Sequence, residues 1–210
     1  MSGKVITIAQ QKGGSGKTTL AVTLAVALTR AGKSVALLDT DPQGSLGRWF
    51  MARRAALGTA GMAFSTASAW GVAYECEKLR GDADFVIIDT PPKVDADLRP
   101  ALREADIVLI PVASSHVDLW ATEGVLDLAR REDKAALIVL NRARAGTRLG
   151  AEVGAAAAAL DVPVAEAQLA NRVIYAETLG QGLSAIEGKA SPQVRAEVAA
   201  LLDEVLSALA

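Results

Sequence analysis

Short apolar segments alternate with longer amphipathic ones along most of this 210-residue chain. Runs rich in Val, Ile and Leu predict buried strands at residues 5–9, 35–39, 85–89, 107–112 and 136–140. Apolar residues at intervals of three and four predict helices at residues 17–31, 44–56, 70–80, 96–104 and 118–131. This alternation is typical of an α/β fold, a mostly parallel twisted sheet with helices on both faces. Ligands of such sheets bind at the carboxyl ends of the strands.

Two further segments have helical patterns near the C-terminal end. An alanine-rich stretch lies between Leu149 and Leu160, and residues 192–209 place their Val and Leu residues on one face. The polar face of that last helix is acidic rather than rich in Lys and Arg, so we expect it to pack on the core and not on a membrane. Because no linker, repeat or charged tail interrupts the pattern, residues 1–210 are predicted to form a single domain.

Composition limits the cellular setting and the kind of partner. Apolar residues make up 51% of the chain, yet no stretch reaches the length that spans a bilayer. The first residues lead directly into a strand instead of a secretory segment, and the single cysteine excludes an internal disulfide framework. We therefore expect a cytoplasmic protein. A net charge of −2 means that nucleic-acid binding would need a local basic patch.

The most informative segment is residues 9–19, which read Ala-Gln-Gln-Lys-Gly-Gly-Ser-Gly-Lys-Thr-Thr. A strand precedes it, a helix follows it, and its glycines allow backbone N–H groups to turn toward an anion, as in a phosphate-binding loop. Gln11 stands where the usual first glycine would be, and Lys12 is an additional lysine. Lys17 is predicted to reach the β- and γ-phosphates, and Thr18 is predicted to bind Mg²⁺. The candidate nucleotide-binding residues of the loop are Gly13, Gly14, Ser15, Gly16, Lys17, Thr18 and Thr19.

Three aspartates follow two of the predicted strands. Asp39 and Asp41 follow the second strand, and Asp89 ends the strand at 85–89. A carboxylate at the end of an apolar strand is typical of a site that holds the Mg²⁺ bridging two phosphates. Asp89, directly or through water, and Asp41 are therefore candidate metal ligands together with Thr18. We expect Asp41 to orient the attacking water with help from the metal, while Asp39 braces its loop. The alternative for each acid is a helix-capping or turn carboxylate.

Asn141, which follows the strand at 136–140, bears on the choice of base. P-loop GTPases commonly read guanine with Asn-Lys-x-Asp, but here Arg144 occupies the place of that aspartate. The Asn141 amide alone can bond to adenine, so ATP is favoured over GTP. The alternative for Asn141 is a turn residue that closes a strand.

Taken in order, these motifs and the Asp-x-Asp-Pro-Gln-Gly segment that begins at Asp39 resemble the ParA/MinD group of deviant-Walker ATPases. The chain looks closest to the small ParA-type partition ATPases, and the resemblance covers nearly its whole length. It implies ATP and Mg²⁺ as cofactors and an ATP-dependent homodimer in which Lys12 contacts the partner's phosphates. Lys12, Lys17 and Asp41 are then the candidate catalytic residues. The site has no obvious strong base, so intrinsic ATP hydrolysis should be slow and stimulated by a ParB-like or other adaptor protein.

The resemblance also implies non-specific DNA binding and a nucleoid-associated location. Between Arg130 and Arg148 the chain carries six basic residues against two acidic ones. The candidate DNA contacts are Arg142, Arg144, Arg148 and Arg172, and the alternative for each is a solvated surface residue. The function expected from this is the partitioning or positioning of DNA or another large cargo.

Three other functions agree less well with the sequence. A metabolic P-loop enzyme of the dethiobiotin-synthetase type is disfavoured by Lys12, and a MinD-like membrane regulator by the acidic C-terminal helix. A nitrogenase-iron-protein-like carrier needs two cysteines per chain and fails, because Cys76 is the single one. The remaining conspicuous residues are not assigned to a site. His116 is expected in a loop, and Cys76 is expected to pack in the interior. Trp49, Trp70 and Trp120 are expected in the core or at an interface, and Asp95 and Asp97 are expected to be charges at a helix N-terminus.

Overall fold

The computed structural model describes residues 2–92, 98–113, 115–144 and 146–210. A seven-stranded sheet lies at its centre, in the order β3-β2-β4-β1-β5-β6-β7, and neighbouring strands are parallel. The strands are β1 (Lys4–Ile8), β2 (Val35–Asp39), β3 (Ala63–Thr66), β4 (Phe85–Asp89), β5 (Ile107–Val112), β6 (Ala136–Ala143) and β7 (Leu169–Ala170). The predicted α/β class with a parallel sheet is confirmed.

Helices cover both faces of the sheet. They are α1 (Lys17–Arg30), α2 (Ser45–Leu57), α3 (Val72–Asp82), α4 (Leu98–Glu104), α5 (His116–Trp120), α6 (Glu123–Arg131), α7 (Arg148–Ala158), α8 (Val173–Gly180) and α9 (Pro192–Ala208). Side chains alternate along β1, so that Ile6 and Ile8 pack with α1 and α9 while Val5 packs with α3. The central strands are thus buried on two faces, which is why they are continuous apolar runs.

Several predicted boundaries differ from the observed ones. The prediction of a single helix at 118–131 is wrong. The chain forms two helices there, α5 and α6, with a break at Ala121 and Thr122. At this break the Thr122 hydroxyl donates to the Asp118 carbonyl and accepts from the Gln10 side chain. The helix predicted at 70–80 begins instead with a 3₁₀ turn at Ala69–Gly71. The strands β3 and β7 and the helix α8 were not predicted, and Asp95 and Asp97 lie outside the described residues.

The C-terminal helix packs as the sequence predicts. Val194, Val198, Leu201 and Val205 on α9 are buried in the same apolar cluster as α1. This face is therefore occupied within the chain and is not presented to a membrane. In the part of the chain that the structure describes, every helix is too short or too polar to cross a bilayer.

A buried ion pair fixes α2, which follows the Asp41 loop, against the segment between α8 and α9. The Arg53 guanidinium makes two bonds of 2.8 and 2.9 Å with the Glu187 carboxylate and donates to the carbonyls of Ala60 and Gly182. Arg53 is 6% exposed. Because a charge at this depth is stable only when it is paired, the contact holds the two segments in one relative position.

The unassigned residues lie in three different settings. Cys76 is fully buried, which confirms packing, and burial raises the pKa of its thiol to about 12. Trp49 is buried, but Trp70 and Trp120 are 90% and 65% exposed, so for these two the core alternative is wrong and an interface role stays a prediction. His116 is the first residue of α5, not a loop residue.

Candidate nucleotide-binding site

The segment from Gln10 to Gly16 forms a glycine-rich loop between β1 and α1. Gly14 and Gly16 have φ values of 78° and 92°, a left-handed conformation that favours glycine. At Gly16 space is also required, since a Cβ atom would lie 2.2 Å from the Asn141 amide nitrogen. Gly16 is the N-cap of α1 and makes no side-chain capping bond. The free N–H groups at this helix end are therefore available to an anion.

The loop borders a cavity of about 250 Å³ that brings together residues from five parts of the chain. Its lining residues are Gly13, Gly14, Gly16, Lys17, Thr18, Thr19, Asp41, Gln43, Ser45, Pro92, Arg142 and Leu179. Most of the loop residues predicted to bind nucleotide lie here with Asp41. Ser15 does not line the cavity, and its hydroxyl is buried without a hydrogen-bond partner among the described residues.

Lys17 is buried in its own loop. Its Nζ atom donates to the Gln10 carbonyl at 3.0 Å, and the residue is 7% exposed. Burial lowers the pKa of the Lys17 ammonium, and the nearby Asp89 and Asp41 carboxylates oppose this shift. An arriving phosphate would offer the ammonium a stronger, charged acceptor than the carbonyl it now contacts.

Thr18 and Asp89 have the geometry expected of a Mg²⁺ site. The Thr18 hydroxyl donates to Oδ2 of Asp89 at 2.6 Å, and Oδ1 of Asp89 is buried without a hydrogen-bond partner in the described chain. Burial raises the pKa of Asp89 to about 7. An unsatisfied buried carboxylate oxygen is costly unless a cation or donor satisfies it, so the pair fits a metal held jointly with phosphate.

Asp39 and Asp41 have different surroundings, as their alternation predicts. Asp39 is buried, and its carboxylate accepts from the backbone N–H groups of Asp41 at 3.1 Å and Gly47 at 2.9 Å. Burial raises the pKa of Asp39, and the bond from Gly47 partly offsets this. Asp41 accepts from the Gln43 N–H at 2.9 Å and lines the cavity. Asp39 therefore braces the loop, while the Asp41 side chain lies beside the phosphate-binding residues.

Asn141 lies beneath the glycine-rich loop. Its Nδ2 atom donates to the Ser15 carbonyl at 2.9 Å, and its Oδ1 atom accepts from the Arg142 N–H at 2.9 Å. The residue is 4% exposed. Each end of the amide thus contacts the backbone, and these contacts favour a bracing role for Asn141. Its predicted contact with adenine stays a prediction.

A second cavity, of about 420 Å³, adjoins Thr19 and Asn141. The segment around α8 supplies its far wall, including Asn171, Arg172 and Tyr175. The Tyr175 hydroxyl is buried without a hydrogen-bond partner among the described residues. The two cavities share Thr19, Arg142 and Leu179 as lining residues, so the second cavity is the candidate position for a nucleobase.

Lys12 is held by a residue that the sequence did not single out. Its Nζ atom lies 2.6 Å from Oδ1 of Asp118, and the two side chains are 39% and 6% exposed. Neighbouring residues attach the loop to the same region, since the Gln11 side chain donates to the Ala121 carbonyl at 2.7 Å. Gln10 is fully buried, and its side chain donates to the Pro111 carbonyl at 3.3 Å. The first half of the loop is therefore docked on the segment from β5 to α6.

The four candidate DNA-contacting arginines line two different cavities. Arg142 and Arg172 line the 420 Å³ cavity beside the nucleotide site, whereas Arg144 and Arg148 line a separate cavity next to α7. Arg172 is paired with Glu197 and Arg148 with Glu152. Contact of these arginines with DNA stays a prediction.

Within the described ranges, no group of three or more His, Cys, Asp or Glu side chains is placed to hold a metal without other ligands. The Thr18–Asp89 pair is compatible with this result. Mg²⁺ at nucleotide sites is bound through one or two protein oxygens together with phosphates and water.

Comparisons with known proteins agree with this geometry. A sequence profile of the CobQ/CobB/MinD/ParA nucleotide-binding domain matches residues 6–186. Maintenance of carboxysome distribution protein A from Halothiobacillus neapolitanus is 28% identical over 209 residues, 96% of this chain and 95% of that protein. The chromosome-partitioning ATPase Soj from Thermus thermophilus is 32% identical over 167 residues, 67% of this chain and 63% of that protein. MinD from Pyrococcus horikoshii, solved with Mg-ADP, has a similar fold with a TM-score of 0.81 and 22% identity, covering 96% of this chain and 95% of that one.

The first prediction concerns Asn141. Replacing Asn141 with Ala should weaken binding of ATP, GTP and inorganic tripolyphosphate in equal proportion, about fivefold for one lost hydrogen bond, because the loop itself loses its brace. Isothermal titration calorimetry measures the three affinities. Asn171→Ala is the control for tripolyphosphate, whose affinity it should leave unchanged, because Asn171 lines the second cavity and not the cavity at the loop. A loss confined to ATP, with tripolyphosphate binding intact, would show that Asn141 reads the base.

The second prediction concerns Asp89 in the nucleotide-free protein. With a folded-state pKa near 7 against a usual 3.8, this carboxyl keeps its proton in the folded chain where the unfolded chain has lost it. Stability is therefore lost as pH rises from about 4 to about 7 and stays reduced above that. Asp89→Asn should raise the free energy of unfolding at pH 8 by on the order of 3 kcal/mol, and by far less at pH 4.5.

Urea unfolding of the wild type, Asp89→Asn and the exposed control Asp82→Asn at the two pH values measures this effect. The control should change little at either pH. Equal stability of wild type and Asp89→Asn at pH 8 would contradict the burial argument. The same Asp89→Asn variant should bind ATP more weakly in Mg²⁺ than the wild type, since a neutral amide is a poorer ligand for the metal.

Proposed function

The chain belongs to the CobQ/CobB/MinD/ParA nucleotide-binding family, and from this premise we propose that it is a ParA-type ATPase that positions a large cargo. Family membership confirms the resemblance drawn from Lys12 and the aspartate motifs. The proposed cycle has three steps. ATP brings two chains together, the dimer binds DNA without sequence preference, and hydrolysis stimulated by an adaptor protein separates the chains.

The observation that carries the proposal is the contrast between the two lysines of the loop. Lys17 is buried against the Gln10 carbonyl, next to the cavity that its own nucleotide would occupy. Lys12 does not line that cavity and keeps 39% of its side chain exposed. A phosphate-binding loop needs one lysine for its own nucleotide. The second lysine is therefore available to a nucleotide held by another chain.

Charge explains why such a lysine would couple ATP to dimerisation. Two triphosphates that face each other across an interface repel, and a cation from each chain offsets the charge of the other's γ-phosphate. A ligand that makes this contact only in the dimer shifts the equilibrium toward the dimer. Loss of the γ-phosphate removes the contact, so hydrolysis would loosen the pair.

The residues of the site have defined parts in the proposed reaction. Thr18 and Asp89 would hold Mg²⁺, which would supply positive charge beside the phosphates. The Asp41 carboxylate orients the attacking water. The Lys17 ammonium and the partner's Lys12 stabilise negative charge that develops during phosphoryl transfer. Since no strong base lies among the described residues that line the cavity, turnover of the isolated protein is slow and an adaptor protein supplies the acceleration.

Cargo positioning is proposed from the relatives. One is called a maintenance of carboxysome distribution protein and another a chromosome-partitioning ATPase. Positioning on the nucleoid requires weak, sequence-independent contacts with DNA phosphates. Arg144 and Arg148 are exposed beside α7, away from the nucleotide cavities, and are the candidates for these contacts. A membrane-bound MinD-like role is not favoured, because the apolar face of α9 is buried in the core.

The third prediction tests the two lysines. Lys12→Ala should leave ATP affinity nearly unchanged and abolish the dimer formed with a non-hydrolysable ATP analogue. Lys17→Ala should lower ATP affinity itself by about 10- to 100-fold, because a charged hydrogen bond to phosphate is lost. Sedimentation velocity and calorimetry give the two readouts. A Lys12→Ala chain that still dimerises with the analogue would refute the proposal.

The fourth prediction concerns DNA. The double variant Arg144→Ala and Arg148→Ala should bind non-specific duplex DNA more weakly in the presence of the ATP analogue, with a salt slope reduced by about one for each phosphate that is no longer neutralised. Fluorescence anisotropy at several salt concentrations measures the slope. Arg54→Ala, on the exposed side of α2, is the control and should bind as the wild type does. An unchanged slope in the double variant would place DNA binding elsewhere.

A further inference from the structure

The contact between Lys12 and Asp118 would compete with a contact between Lys12 and the nucleotide of another chain. Nζ of Lys12 lies 2.6 Å from Oδ1 of Asp118, within one chain and without nucleotide. Asp118 is held firmly in turn. Its Oδ2 atom accepts from the Ser115 hydroxyl, and its carbonyl accepts from Thr122 at 3.1 Å and from Gln10 at 3.5 Å. The fixed partner is thus the aspartate, and the movable one is the lysine.

Release of Lys12 would leave the Asp118 carboxylate in an unfavourable state. Its side chain is 6% exposed, and in the described part of the chain its remaining side-chain partner is the neutral Ser115 hydroxyl. A mostly buried carboxylate is stable when paired with a cation and is destabilised when the cation leaves. Any structure in which Lys12 contacts another chain's nucleotide must therefore overcome the loss of this pair.

We propose that Asp118 is a positioning residue that retains Lys12 within its own chain and thereby sets the threshold for ATP-dependent dimerisation. This inference rests on the proposed function. In the nucleotide-free or ADP-bound chain the lysine stays with Asp118. In the dimer the triphosphate of the partner displaces the carboxylate as the acceptor of the Lys12 ammonium. A weaker internal acceptor makes the exchange easier and the dimer tighter.

The test is Asp118→Asn, which keeps the size of the side chain and an oxygen for the Ser115 hydroxyl while removing the charge. With a non-hydrolysable ATP analogue, sedimentation equilibrium should give Asp118→Asn a dimer dissociation constant about five- to tenfold lower than that of the wild type. This factor is at the lower end of the range by which one binding event usually changes the affinity of another. With ADP both proteins should remain monomeric. Asp118→Glu, which retains the carboxylate, should return the dissociation constant close to the wild-type value.

Two further variants show whether the effect acts through Lys12. In the Lys12→Ala background, Asp118→Asn should produce no gain in dimerisation. Asp127→Asn is the matched control, because it removes a charge of the same kind from an exposed pair with Arg130 and should leave dimerisation unchanged. Circular dichroism melting shows that each variant is folded.

A second readout does not depend on dimerisation. Acetic anhydride labelling of the nucleotide-free protein, read by peptide mass spectrometry, should modify Lys12 at least about twofold faster in Asp118→Asn than in the wild type. Only the free amine attacks the anhydride, and a nitrogen held by a carboxylate must first leave that contact. Unchanged labelling would overturn the proposed retention of Lys12.

The outcomes separate this inference from the proposed function. A wild type that stays monomeric with the ATP analogue overturns both. A dimeric wild type, with Asp118→Asn dimerising equally or more weakly, overturns the role of Asp118 alone. A gain that persists in the Lys12→Ala background also overturns it, because the charge would then act independently of the lysine.

Discussion

The junction between β1 and α1 is the constraint on which the rest of the structure depends. The glycine-rich loop must turn sharply, expose its N–H groups and still hold Lys17 beneath it. Its neighbours make this possible, since Asn141 donates to the Ser15 carbonyl from β6 and Thr18 donates to Asp89 at the end of β4. A parallel sheet places the carboxyl ends of these strands side by side, so acids and amides that are distant in sequence meet at one loop.

The same loop connects the candidate nucleotide site to the segment from β5 to α6. Its first half is docked on the segment from β5 to α6 through Gln10, Gln11 and Lys12, and its second half begins α1. Lys12 therefore links the loop directly to Asp118 of α5. In the proposed cycle, Lys17 would serve the binding of a nucleotide and Lys12 the response to it. A switch requires such a separation, because a ligand acts through the difference in its contacts between two states.

The sequence predicted those parts of the site that are formed by residues next to one another in the chain. The buried strands at the centre of the sheet are continuous apolar runs, and the loop and its aspartates follow them directly. Short edge strands such as β3 and β7 carry no such run, and the break between α5 and α6 involves a bond from Gln10, which lies far away in the chain. The Asn141 and Asp118 contacts are likewise long-range. Lys12 showed that an unusual charge was present, but the acid that holds it became apparent only from the fold.

A crystal structure with Mg²⁺ and a non-hydrolysable ATP analogue would show whether each chain donates Lys12 to the nucleotide of its partner. The quantity to measure is the distance from Lys12 Nζ to the nearest γ-phosphate oxygen. The expected result is a two-fold dimer with this atom at about 2.8 Å from the partner's nucleotide, the distance of a charged hydrogen bond. A nucleotide-loaded single chain with Lys12 still paired to Asp118 would contradict it.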